Sequence, residues 1–68
     1  MYKVYFEKNG LKREIGKSST KEEARKVMND FLKERKYKSY YWNISKIDSK
    51  TERIDVGSWS EFFYVSEN

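Results

Sequence analysis

Two pairs of carboxylates are the first arrangement in this chain of 68 residues that suggests chemistry. Glu7 with Glu14, and Asp48 with Asp55, have the composition of a general acid and a general base. The chain contains no histidine and no cysteine, which excludes an imidazole base, a Ser-His or Cys-His nucleophile pair and the usual zinc and iron–sulfur sites. Each carboxylate has a cationic neighbour or a turn role, and nothing indicates a desolvated pocket that would shift a pKa. We therefore predict a protein that is not an enzyme and that uses no cofactor or metal.

Chain length points the same way. A chain of 68 residues forms one domain, residues 1–68, which buries only about 60% of its unfolded surface and has no room for a deep cleft. We expect the last residues, 66–68, to be loosely ordered. An alternating strand pattern follows Met1 directly, and no apolar run is long enough for a signal peptide or a membrane span. The expected location is the cytoplasm, away from any membrane.

A basic and aromatic segment, residues 33–42, suggests nucleic-acid binding, because cations contact phosphates and aromatic rings stack on bases. The simpler interpretation is a solvated helix end followed by a strand whose aromatic residues cover the core, since the net charge of the chain is only +4. No RNP-type strand, GXXG loop or helix-turn-helix pair is present. A nucleic-acid-binding module is thus the alternative function, and its predicted contact residues are Arg35, Lys36, Lys38, Tyr40, Lys46 and Arg53.

Aromatic residues are more numerous than one thin core requires, since the chain has two Trp, six Tyr and four Phe. Tyr, Trp and Arg anchor many protein interfaces. The predicted partner-binding residues are therefore Trp59, Phe62, Phe63 and Tyr64 as anchors, with Tyr37, Lys38 and Tyr41 at the rim. An equal alternative is that the C-terminal tail folds back over the open face of the sheet and buries Trp59 with Phe62 or Phe63.

A hairpin is the strongest local prediction, because residues 2–7 alternate with period two and Asn9-Gly10 favours a two-residue type I′ turn. Closure on this turn predicts that Gly16 ends the second strand. The predicted cross-strand pairs are Val4 with Ile15 and Phe6 with Arg13 on the core face, and Glu7 with Lys12 and Tyr5 with Glu14 on the solvated face.

A helix is expected to begin after Thr20, because Thr20 and Glu23 have the spacing of a capping box. Its apolar residues recur at helical spacing and form one stripe that can lie on a sheet. These residues are Ala24, Val27, Met28, Phe31 and Leu32.

A second hairpin follows, with strands at residues 39–47 and 51–56. A three-residue loop, 48–50, pairs Ile44 with Ile54, Trp42 with Val56 and Lys46 with Glu52, whereas a two-residue loop sets Ile44 against Asp55. We prefer the three-residue loop, and we expect residues 62–65 to form a last short strand. The fold class is α+β, with one helix on an antiparallel sheet in the order β-β-α-β-β(-β). The predicted core contains Val4, Phe6, Leu11, Ile15, Ala24, Val27, Met28, Phe31, Leu32, Trp42, Ile44, Ile54 and Val56.

A distinctive string near the C-terminus reads Asp55-Val56-Gly57-Ser58-Trp59-Ser60-Glu61-Phe62-Phe63. It resembles the C-terminal signature of small, mostly uncharacterised proteins encoded by phages and prophages of Gram-positive bacteria, and the first hairpin and the TKEEA helix start look similar too. That family has no established chemistry, so the resemblance implies a genomic context. Small phage accessory proteins often act by binding a host protein, including components of nuclease-based defence of the CRISPR or restriction type.

The leading functional hypothesis is therefore a non-enzymatic, phage-derived protein that binds and blocks a host protein in the host cytoplasm. The nucleic-acid-binding module is the first alternative. Self-association is the second, because an exposed edge strand or an aromatic patch can form a homodimer.

Overall fold

Antiparallel strands and one helix make up the fold. A computed structural model describes residues 1–34, 42–57 and 60–67, and within them one helix packs on a five-stranded sheet. The elements are β1 (Tyr2–Lys8), β2 (Leu11–Ser18), α1 (Lys21–Glu34), β3 (Asn43–Lys46), β4 (Thr51–Asp55) and β5 (Glu61–Glu67). The strand order is β2-β1-β5-β4-β3, and every neighbouring pair is antiparallel. This β-β-α-β-β-β arrangement confirms the predicted α+β class.

The C-terminal strand occupies the centre of the sheet. β5 pairs with β1 along the whole of both strands and with β4 on its other side, so it joins the two hairpins. Residues 61–67 of the tail therefore belong to the sheet and do not fold back over its face. Phe63 is buried, as the alternative of a buried tail expected, and Trp59 lies outside the described residues. The strand extends beyond the predicted residues 62–65 and includes Ser66 and Glu67. The expectation that these two residues are loosely ordered is therefore wrong. The Ser66 hydroxyl lies 3.1 Å from the Thr51 hydroxyl, within hydrogen-bond distance.

The first hairpin closes at the predicted turn, where Asn9 has a φ of 52° and Gly10 a φ of 84°, both in the region that a type I′ turn requires. Three of the four predicted pairs are confirmed: Tyr5 with Glu14, Phe6 with Arg13 and Glu7 with Lys12. The fourth is wrong, because the register shifts between Val4 and Tyr5, so that Val4 faces Gly16.

The extra residue at this register shift is Ile15, which forms a β-bulge and packs half-buried against the core. β2 then continues to Ser18 and does not end at Gly16 as predicted. Gly16 lies directly under the helix: a Cβ atom placed on it would be 2.6 Å from Val27 Cγ1. The bulge and the glycine together let the edge strand and α1 approach closely.

The second hairpin has the predicted register, since the observed pairs are Asn43 with Asp55, Ile44 with Ile54, Ser45 with Arg53 and Lys46 with Glu52. The Ile47 N–H donates to the Thr51 carbonyl at 3.0 Å, which leaves the predicted loop of residues 48–50. The Asp48 carboxylate accepts a 2.8 Å hydrogen bond from the Lys50 N–H, and this bond is the main reason that the pKa of Asp48 is lowered.

Strand β3 is shorter than predicted. Trp42 precedes it and packs partly buried against the core, so the predicted pair of Trp42 with Val56 is not part of the ladder. Residues 39–41, which we predicted to be strand, lie outside the described residues.

The core lies between α1 and the sheet. The helix stripe is confirmed: Ala24, Met28 and Leu32 are buried, and Val27 and Phe31 pack half-buried against them. Two predicted core residues are wrong, since Leu11 is 80% exposed and Ile44 is 38% exposed. Both lie on edge strands: Leu11 is the first residue of β2, next to the turn, and Ile44 lies on β3. The sequence prediction missed three buried residues of β5, namely Phe63, Tyr64 and Val65.

The start of α1 is capped by side chains. The Glu23 N–H donates to Thr20 Oγ1 at 3.1 Å, and the Thr20 hydroxyl donates to Glu23 Oε1 at 3.0 Å. The Ser19 hydroxyl donates to the same carboxylate oxygen at 2.8 Å, and chiefly this bond, followed by the one from Thr20, lowers the pKa of Glu23.

Replacing Thr20 by alanine is expected to lower the free energy of unfolding by about 1 kcal/mol, because the Glu23 N–H loses its acceptor. Urea titration followed by circular dichroism measures the loss. Thr20→Ser is the matched control, and it should remain close to the wild type because it keeps the hydroxyl. Equal losses in the two variants would contradict a capping role.

Candidate functional site

One face of the sheet carries no helix. Side chains alternate along each strand, so the neighbours of the core residues Val4, Phe6, Phe63 and Val65 point away from α1. Among the described residues no element packs over them. We call this surface the open face; it comprises Lys3, Tyr5, Glu7, Lys12, Glu14, Lys17, Asn43, Ser45, Thr51, Arg53, Asp55, Phe62, Tyr64 and Ser66.

Three aromatic residues lie at the centre of the open face. Tyr5 stands directly opposite Tyr64 on β1 and β5, and Phe62 lies two residues before Tyr64 on the same strand. Tyr5 and Phe62 are half-buried, whereas Tyr64 is only 8% exposed. The sheet order brings these rings together, because β1 and β5 are neighbours near its middle.

Two cations lie over these rings. Lys12 Nζ is 4.1 Å from the centre of the Tyr64 ring and 5.1 Å from that of Tyr5, and Arg53 Cζ is 4.7 Å from that of Phe62. These distances are those of cation–π contacts, and the aliphatic stems of both residues cover apolar surface. Within the part of the chain that the structure describes, neither cation has a carboxylate at ion-pair distance. The open face therefore presents two positive charges that have no carboxylate within ion-pair distance among the described residues.

Tyr64 forms the floor of this site. Its hydroxyl donates a 2.9 Å hydrogen bond to Glu7 Oε1. Burial, and then the bond to Glu7, raises the pKa of Tyr64, so the phenol stays protonated at neutral pH and remains a donor. The bond fixes the ring beneath Lys12.

The carboxylates of the open face have partners of their own. Besides Glu7, Glu14 lies 3.9 Å from Lys3 Nζ, and Asp55 accepts a 2.9 Å hydrogen bond from the Gly57 N–H. Positive and negative side chains thus alternate across the face. A surface that follows a phosphate backbone is uniformly basic, and this one is not.

The predicted partner-binding residues divide into three groups. Phe62 and Tyr64 lie on the open face, as an interface role requires. Phe63 is 0% exposed and packs in the core, so its prediction as a surface anchor is wrong: consecutive residues of a strand point to opposite faces. Tyr37, Lys38, Tyr41 and Trp59 lie outside the described residues.

The predicted nucleic-acid contacts do not form one patch among the described residues. Lys46 pairs with Glu52, whose carboxylate contacts Lys21 and Arg25 of the helix, so Lys46 lies on the helix side. Arg53 lies on the open face, on the opposite side of the sheet. Arg35, Lys36, Lys38 and Tyr40 lie outside the described residues.

Sequence reasoning missed Tyr5 and Lys12 as site residues. Both were assigned to the outward face of the first hairpin, and their pairing pattern was available from the Asn9-Gly10 turn. What the sequence did not reveal is that β5 lies beside β1 and brings Phe62 and Tyr64 next to them.

The described residues contain neither a candidate metal site nor a helix that could span a membrane. No group of three or more His, Cys, Asp or Glu side chains within them is arranged to hold a metal ion. In the same residues, no helix has the length and apolar character needed to cross a membrane.

Comparison of the chain with protein-family models, with curated proteins and with solved structures finds no match. Its function is therefore inferred from the geometry of the open face.

Proposed function

We propose that this chain is a non-enzymatic binding protein whose open face docks on a partner protein. One observation carries the proposal: Lys12 and Arg53 lie over the aromatic centre of the face and have no carboxylate partner among the described residues. Aromatic residues and arginine are enriched in the cores of protein interfaces. Tyr5, Phe62 and Arg53 supply that combination here.

The chemistry of the face defines the partner. The carboxylates Glu7, Glu14 and Asp55 are engaged within the chain, whereas no carboxylate of the described residues lies at ion-pair distance from Lys12 or Arg53. A complementary protein surface presents carboxylates to these two cations and an apolar side chain to the rings of Tyr5 and Phe62. Ion pairs formed at such a contact steer the encounter and fix its orientation.

The resemblance to phage-encoded proteins supports a host protein as the partner, and binding alone is then sufficient to block that protein. In a nuclease-based defence system, the open face would fit an acidic surface of the nuclease. It would not fit the basic channel that holds nucleic acid, because Lys12 and Arg53 would repel it.

Charge reversal on the open face tests this proposal. Tagged wild-type protein and the variant Lys12→Glu/Arg53→Glu capture proteins from nuclease-treated lysate of a Gram-positive bacterium. A protein retained by the wild type is then purified, and its Kd for each variant is measured by isothermal titration calorimetry. We expect the double reversal to weaken binding by about 100-fold, because two close charge pairs become repulsive. Circular dichroism confirms that the variant is folded.

The matched control is Lys26→Glu/Lys33→Glu, which makes the same change in net charge on the exposed side of α1. It should bind within about threefold of the wild type, since net charge alone acts weakly at the ionic strength of a cell. Equal weakening by both variants would contradict the site. Retention that occurs in untreated lysate and is lost after nuclease treatment would contradict protein binding and favour the nucleic-acid-binding module.

A further inference from the structure

A cavity of about 410 Å³ lies at the tip of the first hairpin, on the side of the sheet that faces α1. Ligand-binding clefts have volumes of about 300–1,000 Å³, so this one is large enough for an aromatic or branched aliphatic group. We call it the hairpin cavity; its lining residues are Phe6, Lys8, Asn9, Leu11, Lys12 and Arg13.

The apolar part of the hairpin cavity comes from Phe6 and Leu11. Phe6 is buried and contacts the Phe31 ring at a centroid distance of 4.9 Å, so the base of the cavity is part of the packed core. Leu11 follows the turn at Asn9 and Gly10 and is 80% exposed. An exposed leucine beside a cavity is surface that an apolar group would remove from water.

The charged residues that line the cavity are basic among the described residues. Lys8 and Arg13 lie on its helix side, and Lys12 borders it from the edge strand β2 while its ammonium lies over Tyr64. Glu61 faces Lys8 across β1 and β5 on the same side of the sheet. The Arg13 guanidinium lies 5.9 Å from the centre of the Phe31 ring, and its planar fork matches a carboxylate. The Asn9 N–H donates to the Ser60 carbonyl at 3.1 Å, which ties the turn to the chain leading into β5. The lining thus suits a ligand that is both apolar and acidic.

We propose that the hairpin cavity binds an acidic segment of the partner protein, in which an apolar side chain is flanked by Asp or Glu. A bound small molecule is usually buried over most of its surface, and a cavity beside the exposed Leu11 does not enclose a ligand to that extent. A protein segment does not need such an enclosure, because the rest of the partner protein covers it. Lys12 belongs to both the open face and the cavity, so one partner can reach both around the edge strand β2. The inference rests on the proposed function, because the segment belongs to the same partner protein that binds the open face.

A synthetic peptide tests the inference. Acetyl-Asp-Glu-Phe-Asp-Glu-amide is titrated into the ¹⁵N-labelled protein, and binding is followed by chemical-shift changes. We expect saturable binding at the cavity and a Kd raised by about tenfold in Leu11→Ser and in Arg13→Gln, which is about 1.4 kcal/mol each. Ile47→Ser is the control, since Ile47 is 52% exposed and lies between β3 and β4; its Kd should remain within about twofold.

Peptide variants separate the two parts of the site. Replacement of Phe by Ala, or of the four acids by Asn and Gln, should each weaken binding by about tenfold or more. Equal binding of either variant peptide would overturn the inference, and 3-phenylpropanoate binding as tightly as the parent peptide would overturn the assignment to a protein segment. If the peptide does not bind while Lys12→Glu/Arg53→Glu still loses the captured partner, only the cavity inference fails. If the peptide binds and no partner depends on the open face, the proposed function fails.

Discussion

Replacing Phe63 by alanine is expected to unfold most of the molecules at 25 °C. Phe63 is fully buried at the middle of the central strand, and its ring lies 5.1 Å from that of Phe6 and 5.8 Å from that of Phe31. Removal of such a ring costs about 3–5 kcal/mol through lost contacts and the cavity left behind. A domain of this size is stable by only a few kcal/mol, so the loss removes most or all of its stability.

Thermal and urea unfolding followed by circular dichroism check this expectation. Phe62→Ala is the matched control, because it removes the same side chain one residue earlier, from the half-buried position on the open face. It should cost much less and leave a folded protein. A Phe63→Ala variant that unfolds no earlier than Phe62→Ala would show that β5 is not the centre of the core.

Replacing Gly16 by alanine is expected to have the next largest effect on stability. The new Cβ atom would lie 2.6 Å from Val27 Cγ1, so the helix or the bulged strand must move. Overpacking of this kind costs about 1–3 kcal/mol. Lys17→Ala, at the adjacent exposed residue, should change the free energy of unfolding by less than about 0.5 kcal/mol.

A double-mutant cycle with Val27→Ala identifies the cause of that loss. If the clash is responsible, Gly16→Ala costs less in the Val27→Ala background than in the wild type, and the two changes are coupled. Strictly additive losses would show that the close contact between β2 and α1 does not explain the glycine.

Local features of the fold were predictable because adjacent residues determine them. Asn9-Gly10 specifies the turn and the pairs next to it, and Thr20 with Glu23 specifies the start of α1. The bulge at Ile15 was not predictable in this way. It brings Gly16 under the helix, and that contact depends on residues 11 positions apart, Gly16 and Val27.

Strand order was the main non-local feature that sequence patterns did not reveal. The unbroken apolar run at residues 62–65 is typical of a strand buried on both faces. The sequence pattern predicts a short strand there but leaves open whether its aromatic residues are surface anchors or a buried tail. Because β5 lies between β1 and β4, alternate residues of this run face the helix, and Phe63 enters the core.

The candidate site depends on the same strand order. Lys12 reaches Tyr64 only because β2, β1 and β5 lie side by side, and Arg53 covers Phe62 because β4 flanks β5. The sequence identified Phe62, Tyr64 and Arg53 as residues of interest, but it assigned them to different functions. The fold places all three on one face.

Hydroxyl-radical footprinting of the protein, free and in complex with its purified partner, measures directly which face binds. Docking through the open face predicts that oxidation of Tyr5 and Phe62 falls by about fivefold or more in the complex. Ile44, which is exposed on the helix side of β3, should be oxidised at an unchanged rate. Unchanged oxidation of Tyr5 and Phe62, with protection of Ile44 and the exposed side of α1, would contradict binding through the open face.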